Sequence, residues 1–211
     1  EIQRVEVDSV LDGLTAVSNG SVDAFIENYG VNNHFITQYY LSNLTTIVIS
    51  NDPHFPITNT RIATNKNNVL LTSIIDKAVT MMPEAEVMVL KRKWLNSGDN
   101  QNLRPGGDRN KYPLALTTQE QKYRQQHPIL RIQNEMDYPP FNFMQDGKPV
   151  GYSIDYIHLI ANQLGMKVQF IQHKSWDEYL TMFKNQQLDA MVNIIATENR
   201  KTFARFTTPY A

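Results

Sequence analysis

The chain has 211 residues, of which 41% are hydrophobic and 19% charged, a composition typical of a folded globular protein. Twenty basic and 21 acidic side chains give a formal net charge of -1, so no overall positive field exists to attract nucleic acid or an anionic membrane. Cysteine is absent, which excludes disulfides, thiolate–zinc sites and cysteine nucleophiles. We therefore expect a small molecule or another protein as the partner.

The first predicted elements belong to an internal repeat. Residues 9–26 (SVLDGLTAVSNGSVDAFI) align at a constant offset with residues 175–192 (SWDEYLTMFKNQQLDAMV). In each copy, apolar residues at helical spacing are followed by a polar turn and a short apolar run, at residues 22–26 and 188–195. Each copy therefore predicts a helix, a tight turn and a buried strand, a unit from which open α/β sheets are built.

Further elements are predicted between the two copies. Residues 44–50 are β-branched and bounded by turn-forming residues, which predicts a strand. Residues 69–82 and 84–95 carry apolar side chains at helical spacing and predict two helices. Residues 96–112 are polar, rich in Gly and Asn and without periodicity, which indicates a linker.

The last part of the chain predicts a short helix followed by strand, hairpin-like turn, helix, strand, helix and strand. Thr117 or Thr118 caps the short helix, and Pro128 ends it. The predicted strands are residues 129–133, 141–144 and 167–172, and the longer helix is residues 154–164. Open sheets of this kind bind ligands at the carboxyl ends of their strands.

Residues 130–211 carry a set of short motifs that includes YPPF, GYSID, LDA, TENR and a terminal TTPY. With these motifs the stretch strongly resembles the first lobe of the family 3 bacterial extracellular solute-binding proteins, the amino-acid-binding Venus flytrap modules. The resemblance implies an α/β fold of the type II periplasmic-binding-protein class, in which each lobe is an open mixed sheet flanked by helices.

The resemblance extends to a tandem arrangement of modules. Residues 116–128 (LTTQEQKYRQQHP) resemble the helix that joins flytrap modules in the sensor regions of transmembrane histidine kinases and related signalling proteins. Residues 5–95 resemble part of a second lobe and the segment that returns from it. The resemblance implies that residues 1–95 are the C-terminal part of a first module, 96–116 a linker, 117–128 a connecting helix, and 129–211 the first lobe of a second module.

In this arrangement neither module is complete, and each open sheet lacks its usual complement. We expect exposed apolar edges that pair copies of the chain, giving a homodimer, or that leave it imperfectly ordered. No run approaches the roughly 18 apolar residues of a membrane-spanning helix. Any export signal or membrane anchor is therefore expected outside the given sequence.

The resemblance implies a ligand site around Arg200. In the family, an arginine shortly after the LDA strand holds the ligand's carboxylate, and a planar guanidinium offers two parallel charge-assisted hydrogen bonds for this task. Glu135 matches the acidic position that faces the ligand's ammonium group, whereas Tyr138 and Trp176 match the aromatic positions that cover its body. Thr197 is a further hydroxyl or backbone contact. From the residues alone, Arg200 also fits a solvated surface arginine, and both aromatic residues also fit a core.

One stretch departs from the family pattern. Residues 193–196 (NIIA) stand where transport proteins of the family present small hydroxyl residues, and the stretch is one residue shorter. The identity of the ligand therefore stays open.

The function implied by the resemblance is periplasmic sensing of a small, polar, amino-acid-like solute in a membrane-anchored protein, such as the histidine kinase of a two-component system. The alternatives are a soluble solute-binding protein of an ABC transporter and an accessory domain of a lytic transglycosylase. The five histidines share no metal-ligand spacing, and no nucleophile and base pair emerges. We therefore expect no enzyme activity, no catalytic residue, no metal and no cofactor.

Overall fold

The computed structural model describes residues 2–49, 59–95 and 114–211. The predicted linker at residues 96–112 and Ser50, the last residue of a predicted strand, lie outside these ranges. The chain divides into two compact units, Glu1–Ile57 and Thr58–Ala211. This division differs from the expected module boundaries, because residues 59–95 lie in the same unit as residues 114–211.

The first unit contains two helices within its described residues, α1 (Val10–Ser18) and α2 (Tyr29–Gln38). The helix α1 confirms the predicted helix of the first repeat copy, and Ser9 caps it by accepting a hydrogen bond from the backbone nitrogen of Asp12. The helix α2 was not predicted, because its apolar residues do not form a strong stripe.

The two strands predicted for the first unit are wrong. Residues 22–26 and 44–49 form no strand, and the side chains of Ile26 and Ile47 are 65% and 77% exposed. A β-branched sequence forms a strand only where a neighbouring strand satisfies its backbone groups. The described part of this unit offers these two stretches no such neighbour.

The second unit alternates strands and helices. In chain order they are β1 (Arg61–Asn65), α3 (Val69–Thr80), α4 (Glu84–Leu95), α5 (Thr118–Gln126), β2 (Ile129–Gln133), β3 (Asp137–Tyr138), β4 (Asn142–Gln145), β5 (Lys148–Val150), α6 (Tyr152–Leu164), β6 (Lys167–Ile171), α7 (Trp176–Lys184), β7 (Ala190–Ile194), α8 (Glu198–Lys201) and β8 (Ala204–Phe206). The predicted helices and strands from residue 69 onward are confirmed, whereas β1, β3, β5, α8 and β8 were not predicted.

The main sheet of the second unit has the strand order β6-β2-β7-β1-β8. Strand β2 runs parallel to both β6 and β7, so the carboxyl ends of these three strands lie at one edge. Strand β1 is antiparallel to β7 and to β8. The result is an open mixed sheet with helices, as the predicted α/β class requires, and its carboxyl edge is where such sheets bind ligands.

Strand β1 fills the position between β7 and β8. Its residues Ile62, Ala63 and Thr64 are all 0% exposed, so this strand is interior to the sheet. Ala63 belongs to a core cluster with Phe183 and Met191. The expectation that this sheet lacks its complement is therefore wrong at the edge of β7, because residues 59–95 supply the missing strand.

The helix α5 is fixed to α3 by one buried carboxylate. Thr117 and Glu120 form a capping box at the start of α5. The Glu120 carboxylate also accepts hydrogen bonds from Lys77 Nζ at 2.7 Å and Ser73 Oγ at 2.7 Å. Burial alone would raise the pKa of Glu120, but these bonds and those from Thr117 outweigh it and lower the pKa to about 2.

No helix among the described residues is long and apolar enough to cross a membrane.

Candidate ligand site at the carboxyl edge

Three of the predicted site residues follow the three parallel strands. Glu135 comes two residues after β2, Trp176 begins α7 after β6, and Thr197 caps α8 after β7. The positions of Trp176 and Thr197 follow from local sequence, because Ser175 forms a capping box with Glu178 at the start of α7, and the Thr197 side chain accepts a hydrogen bond from the Arg200 backbone nitrogen. The chain therefore brings these polar groups to one edge of the sheet.

Arg200 and Trp176 lie against each other. The guanidinium carbon of Arg200 is 5.6 Å from the centroid of the Trp176 ring, which is a cation–π distance. Arg200 Nη1 also donates to the carbonyl oxygen of Ile195 at 3.0 Å, and burial lowers the pKa of the Arg200 guanidinium. Among the described residues, Arg200 has no carboxylate partner. The Arg200 guanidinium is therefore held in place by the Trp176 ring and the Ile195 carbonyl, and its other N–H groups can donate to a ligand.

Trp176 has two roles in the structure. It packs as a partly buried residue against the core cluster of β7 and α7, which agrees with the core interpretation. It also contacts Arg200, which agrees with the site interpretation. The two interpretations are compatible, because different parts of one large, partly buried ring contact the core and Arg200.

Glu135 is a half-buried carboxyl whose hydrogen-bond partners are neutral. Burial raises the pKa of Glu135 to about 7, although hydrogen bonds from Asn193 and Gln133 act in the opposite direction. Asn193 Nδ2 donates to Glu135 Oε1 at 3.3 Å. No salt bridge to Glu135 occurs within the described ranges. A carboxylate in this position is suited to pair with a cation brought by a ligand.

Sequence reasoning missed a polar network beside Glu135. Asn193 lies near the end of β7 with a φ of 57°, the left-handed region that asparagine tolerates better than most residues. Its side-chain oxygen accepts from Ser153 Oγ and lies 3.1 Å from Tyr210 Oη. The sequence held a signal for both residues, because Asn193 opens the stretch that departs from the family pattern and Tyr210 belongs to the terminal TTPY motif.

Tyr138 lies on a different element. It forms part of β3 in the three-stranded antiparallel sheet β3-β4-β5, where it pairs with Asn142. Its ring stacks on Phe141 at a centroid distance of 5.8 Å. The contacts thus join Trp176, Thr197 and Arg200 in one group and Glu135 with Asn193 in another, while Tyr138 contacts the turn that follows it.

The opposite edge of the sheet carries a small pocket that sequence analysis did not predict. It has a volume of about 210 Å³ and is lined by residues that include Tyr123, His127, Arg131 and Asp189. Arg131 and Asp189 are already paired, with Nη2 and Oδ1 2.7 Å apart. No group of three or more potential metal ligands occurs in the described residues.

Comparison with known proteins gives a family match for the C-terminal part of the chain. Residues 130–211 match the model of the bacterial extracellular solute-binding proteins, family 3. The chain is 24% identical over 208 residues to the sensor protein EvgS of Escherichia coli O157:H7, an alignment that covers 96% of this chain and 16% of that protein. It is 30% identical over 82 residues to a probable histidine-binding protein of Campylobacter jejuni, covering 38% of this chain and 32% of that protein. The chain therefore spans about a sixth of the length of the sensor and a third of the length of the binding protein.

A solved structure is similar over a shorter part. The L-cystine solute receptor of Neisseria gonorrhoeae in its unliganded open conformation is 28% identical, with 35% of this chain and 32% of that chain covered and a TM-score of 0.32.

Proposed function

We propose, on the premise that residues 130–211 belong to the family 3 bacterial extracellular solute-binding proteins, that the chain is a ligand-binding part of an extracytoplasmic sensor. The ligand would be a small polar solute that carries a carboxylate and an ammonium group, such as an amino acid. The site would be the carboxyl edge of β2, β6 and β7.

The observation that carries this proposal is the state of Arg200. A guanidinium that lies on an aromatic ring, partly buried and without an acidic partner among the described residues, is a receptor for an anion. The ligand's carboxylate would form two parallel hydrogen bonds with it. Thr197 would add its hydroxyl or backbone group at the same turn.

The other predicted residues complete a zwitterion site. Glu135 would accept the ligand's ammonium group, since its carboxyl has no cation among the described residues. Trp176 would cover the aliphatic or aromatic body of the ligand, and Tyr138 would do so from the side of β3. Flat and stiff side chains provide this contact at a small cost in entropy.

The sensor role is supported by the extent of one alignment. The similarity to the sensor protein EvgS covers 96% of the chain, including residues outside the match to the family model. We propose that the parent protein is anchored in the membrane with this part in the periplasm, that residues 1–95 and 129–211 derive from two successive flytrap modules, and that closure of two lobes on a solute carries the signal. A ligand that prefers the closed state would shift an existing equilibrium toward it.

A second candidate is a solute-binding protein that serves a transporter. The similarity of 82 residues to a probable histidine-binding protein favours it. Both candidates predict the same ligand chemistry at Arg200, but only the sensor predicts that ligand binding changes the output of an attached signalling domain. The two are separated by measuring that output in the full-length protein with and without solute.

The ligand site is tested by fluorescence of Trp176. We would replace Trp94 by Phe so that Trp176 is the one tryptophan left of the two in the sequence. The purified chain is titrated with each of the common L-amino acids and, in parallel, with the matching amine that lacks the carboxylate. We expect at least one amino acid to change the fluorescence, the matching amine to have no effect, and Arg200→Gln to abolish the response.

Arg205→Gln is the matched control for this experiment. Arg205 is exposed and donates from Nε to the carbonyl oxygen of Lys66 at 2.8 Å, so its side chain is bound to a different segment from that of Arg200. It should leave the response unchanged. A chain that responds to no amino acid, or that responds equally in Arg200→Gln and Arg205→Gln, contradicts the proposed site.

A further inference from the structure

We infer that Asn193 and Tyr210 are positioning residues that hold the Glu135 carboxyl and connect it to the paired backbone segments at Thr60 and Ala211. The inference rests on the proposed role of Glu135 in the ligand site. It gives the network a role beyond ligand binding, because a change in the charge of Glu135 would affect the backbone at the point where these two segments leave the sheet.

Three residues form a closed ring of hydrogen bonds. The backbone nitrogen of Asn193 donates to Tyr210 Oη at 3.1 Å, and Tyr210 Oη donates to Ser153 Oγ at 2.9 Å. Ser153 Oγ completes the ring by donating to Asn193 Oδ1. Ser153 is 0% exposed and Tyr210 is 6% exposed, so water does not compete with the ring. Hydrogen bonds in such a closed chain strengthen one another.

The ring fixes which way the Asn193 amide faces. Its oxygen accepts from the Ser153 hydroxyl, so its nitrogen is directed to Glu135, to which it donates at 3.3 Å. The left-handed backbone of Asn193 is part of the same arrangement, because it brings both the backbone nitrogen and the side chain to the network.

Tyr210 links the ring to the backbone. The Tyr210 nitrogen donates to the carbonyl oxygen of Thr60 at 3.1 Å, and the Thr60 nitrogen donates to the carbonyl oxygen of Ala211 at 2.8 Å. Tyr152 Oη donates to the carbonyl oxygen of Tyr210 at 2.9 Å. Thr60 precedes β1 and Ala211 follows β8, so both segments leave the sheet at the edge that carries the candidate ligand site.

Glu135 is the group of this network whose charge changes near neutral pH. The titratable groups that interact electrostatically with it are the phenols of Tyr179 on α7 and Tyr210 after β8. Burial raises the pKa of both phenols, so they remain neutral in this range. Besides this direct interaction, a change in charge at Glu135 reaches Tyr210 through Asn193, whose amide bonds more strongly to an ionised than to a neutral carboxyl.

The experiment is a pH titration by NMR of the whole chain, without ligand. It follows the side-chain carboxyl carbon of Glu135 and the backbone amides of Thr60 and Tyr210. In the wild type we expect all three signals to titrate with one shared midpoint near neutral pH. Glu135→Gln should remove that midpoint from both amides.

The variants separate positioning from simple proximity. Asn193→Gly keeps the left-handed backbone and removes the amide, so the Glu135 midpoint should rise by about one pH unit and the two amides should no longer follow it. In Tyr210→Phe, the Glu135 carboxyl carbon should still titrate, but the amide signal of Thr60 should no longer follow its midpoint. Asn199→Ala replaces an exposed asparagine on α8 and should change none of the midpoints.

Two results overturn the inference. One is a Thr60 amide that does not follow Glu135 in the wild type, and the other is an Asn193→Gly protein whose amides still do. Because no ligand is present, failure of the chain to bind amino acids would refute the proposed function and leave this result standing. The reverse also holds, since amino acids can bind at Arg200 in a chain whose amides do not titrate with Glu135.

Discussion

Replacing Glu120 by Gln tests whether one buried carboxylate holds the connecting helix α5 on the second unit. The Glu120 side chain is 4% exposed, and it accepts hydrogen bonds from α3 and from the backbone nitrogen of Thr117 at 2.7 Å. Glutamine keeps the size of the side chain but removes the charge that Lys77 and Ser73 face. The buried interface would then keep an ammonium group without its counter-ion.

The expected loss of stability in Glu120→Gln follows from the pKa of Glu120. A fall from 4.5 to about 2 corresponds to roughly 3 kcal/mol at 1.36 kcal/mol per pKa unit. The side chain of Lys77 is 35% exposed, so solvent screens part of this energy. We therefore expect Glu120→Gln to lower the free energy of unfolding of the second unit by about 2 kcal/mol at pH 7.

The pH dependence has a definite sign. The folded pKa of Glu120 lies below its unfolded value, so the carboxylate stabilises the fold fully above about pH 4.5, and this contribution is lost as the pH falls toward about 2. The assay is urea denaturation followed by tryptophan fluorescence, since Trp94 and Trp176 both lie in the second unit. The difference between wild type and Glu120→Gln should shrink as the pH is lowered through this range.

Glu178→Gln is the matched control. Glu178 forms the capping box of α7 with Ser175, but its side chain is 53% exposed, so its replacement should cost much less. If Glu120→Gln is no more destabilising than Glu178→Gln at pH 7, or if its effect does not decrease in acid, the argument from burial and pairing is refuted.

Two further substitutions test the packing of the second unit by the same denaturation assay. Gly151 has a φ of 127°, and an added Cβ would lie 2.3 Å from the carbonyl oxygen of Phe141, so Gly151→Ala should lower the free energy of unfolding by about 3 kcal/mol. Gly147 has a φ of 72° but lies in open space, so Gly147→Ala should lower it by about 1 kcal/mol. Equal losses would show that the close approach to Phe141 has no effect. Phe183 is 0% exposed in the core cluster, so Phe183→Ala should cost about 3–5 kcal/mol, and a loss no larger than that of the partly buried Phe203→Ala would contradict its central position.

The sequence allowed the second unit to be predicted in most of its helices and parallel strands. Local signals were sufficient there, as at Thr117, one of the two caps predicted for α5, and at α7, which apolar residues at helical spacing predicted. The family resemblance named Glu135, Trp176 and Thr197 as site residues, and in the structure all three follow parallel strands at the edge where open sheets bind ligands.

The errors concern pairing between distant parts of the chain. The apolar run at residues 22–26 matches that at residues 188–195 in pattern, but only the latter lies beside partner strands and forms β7. Propensity does not reveal which strand will be adjacent. For the same reason, the insertion of β1 between β7 and β8 was not foreseen from its sequence.

The network around Asn193 was also beyond sequence reasoning. Ser153, Asn193 and Tyr210 are separated along the chain by 40 and 17 residues. The signals at Asn193 and Tyr210 did not indicate that these residues contact each other. Their significance arises from the meeting of α6, β7 and the segment after β8 around Glu135.

The most direct test of the central claim is to map a bound amino acid on the chain by NMR. Backbone and side-chain nitrogen signals are recorded while adding the amino acid that most changes the fluorescence of Trp176. We predict that the largest changes in signal position occur at Glu135, Trp176, Asn193, Thr197 and Arg200. Shifts concentrated instead at Tyr123, His127 and Arg131, around the pocket at the opposite edge, would contradict it.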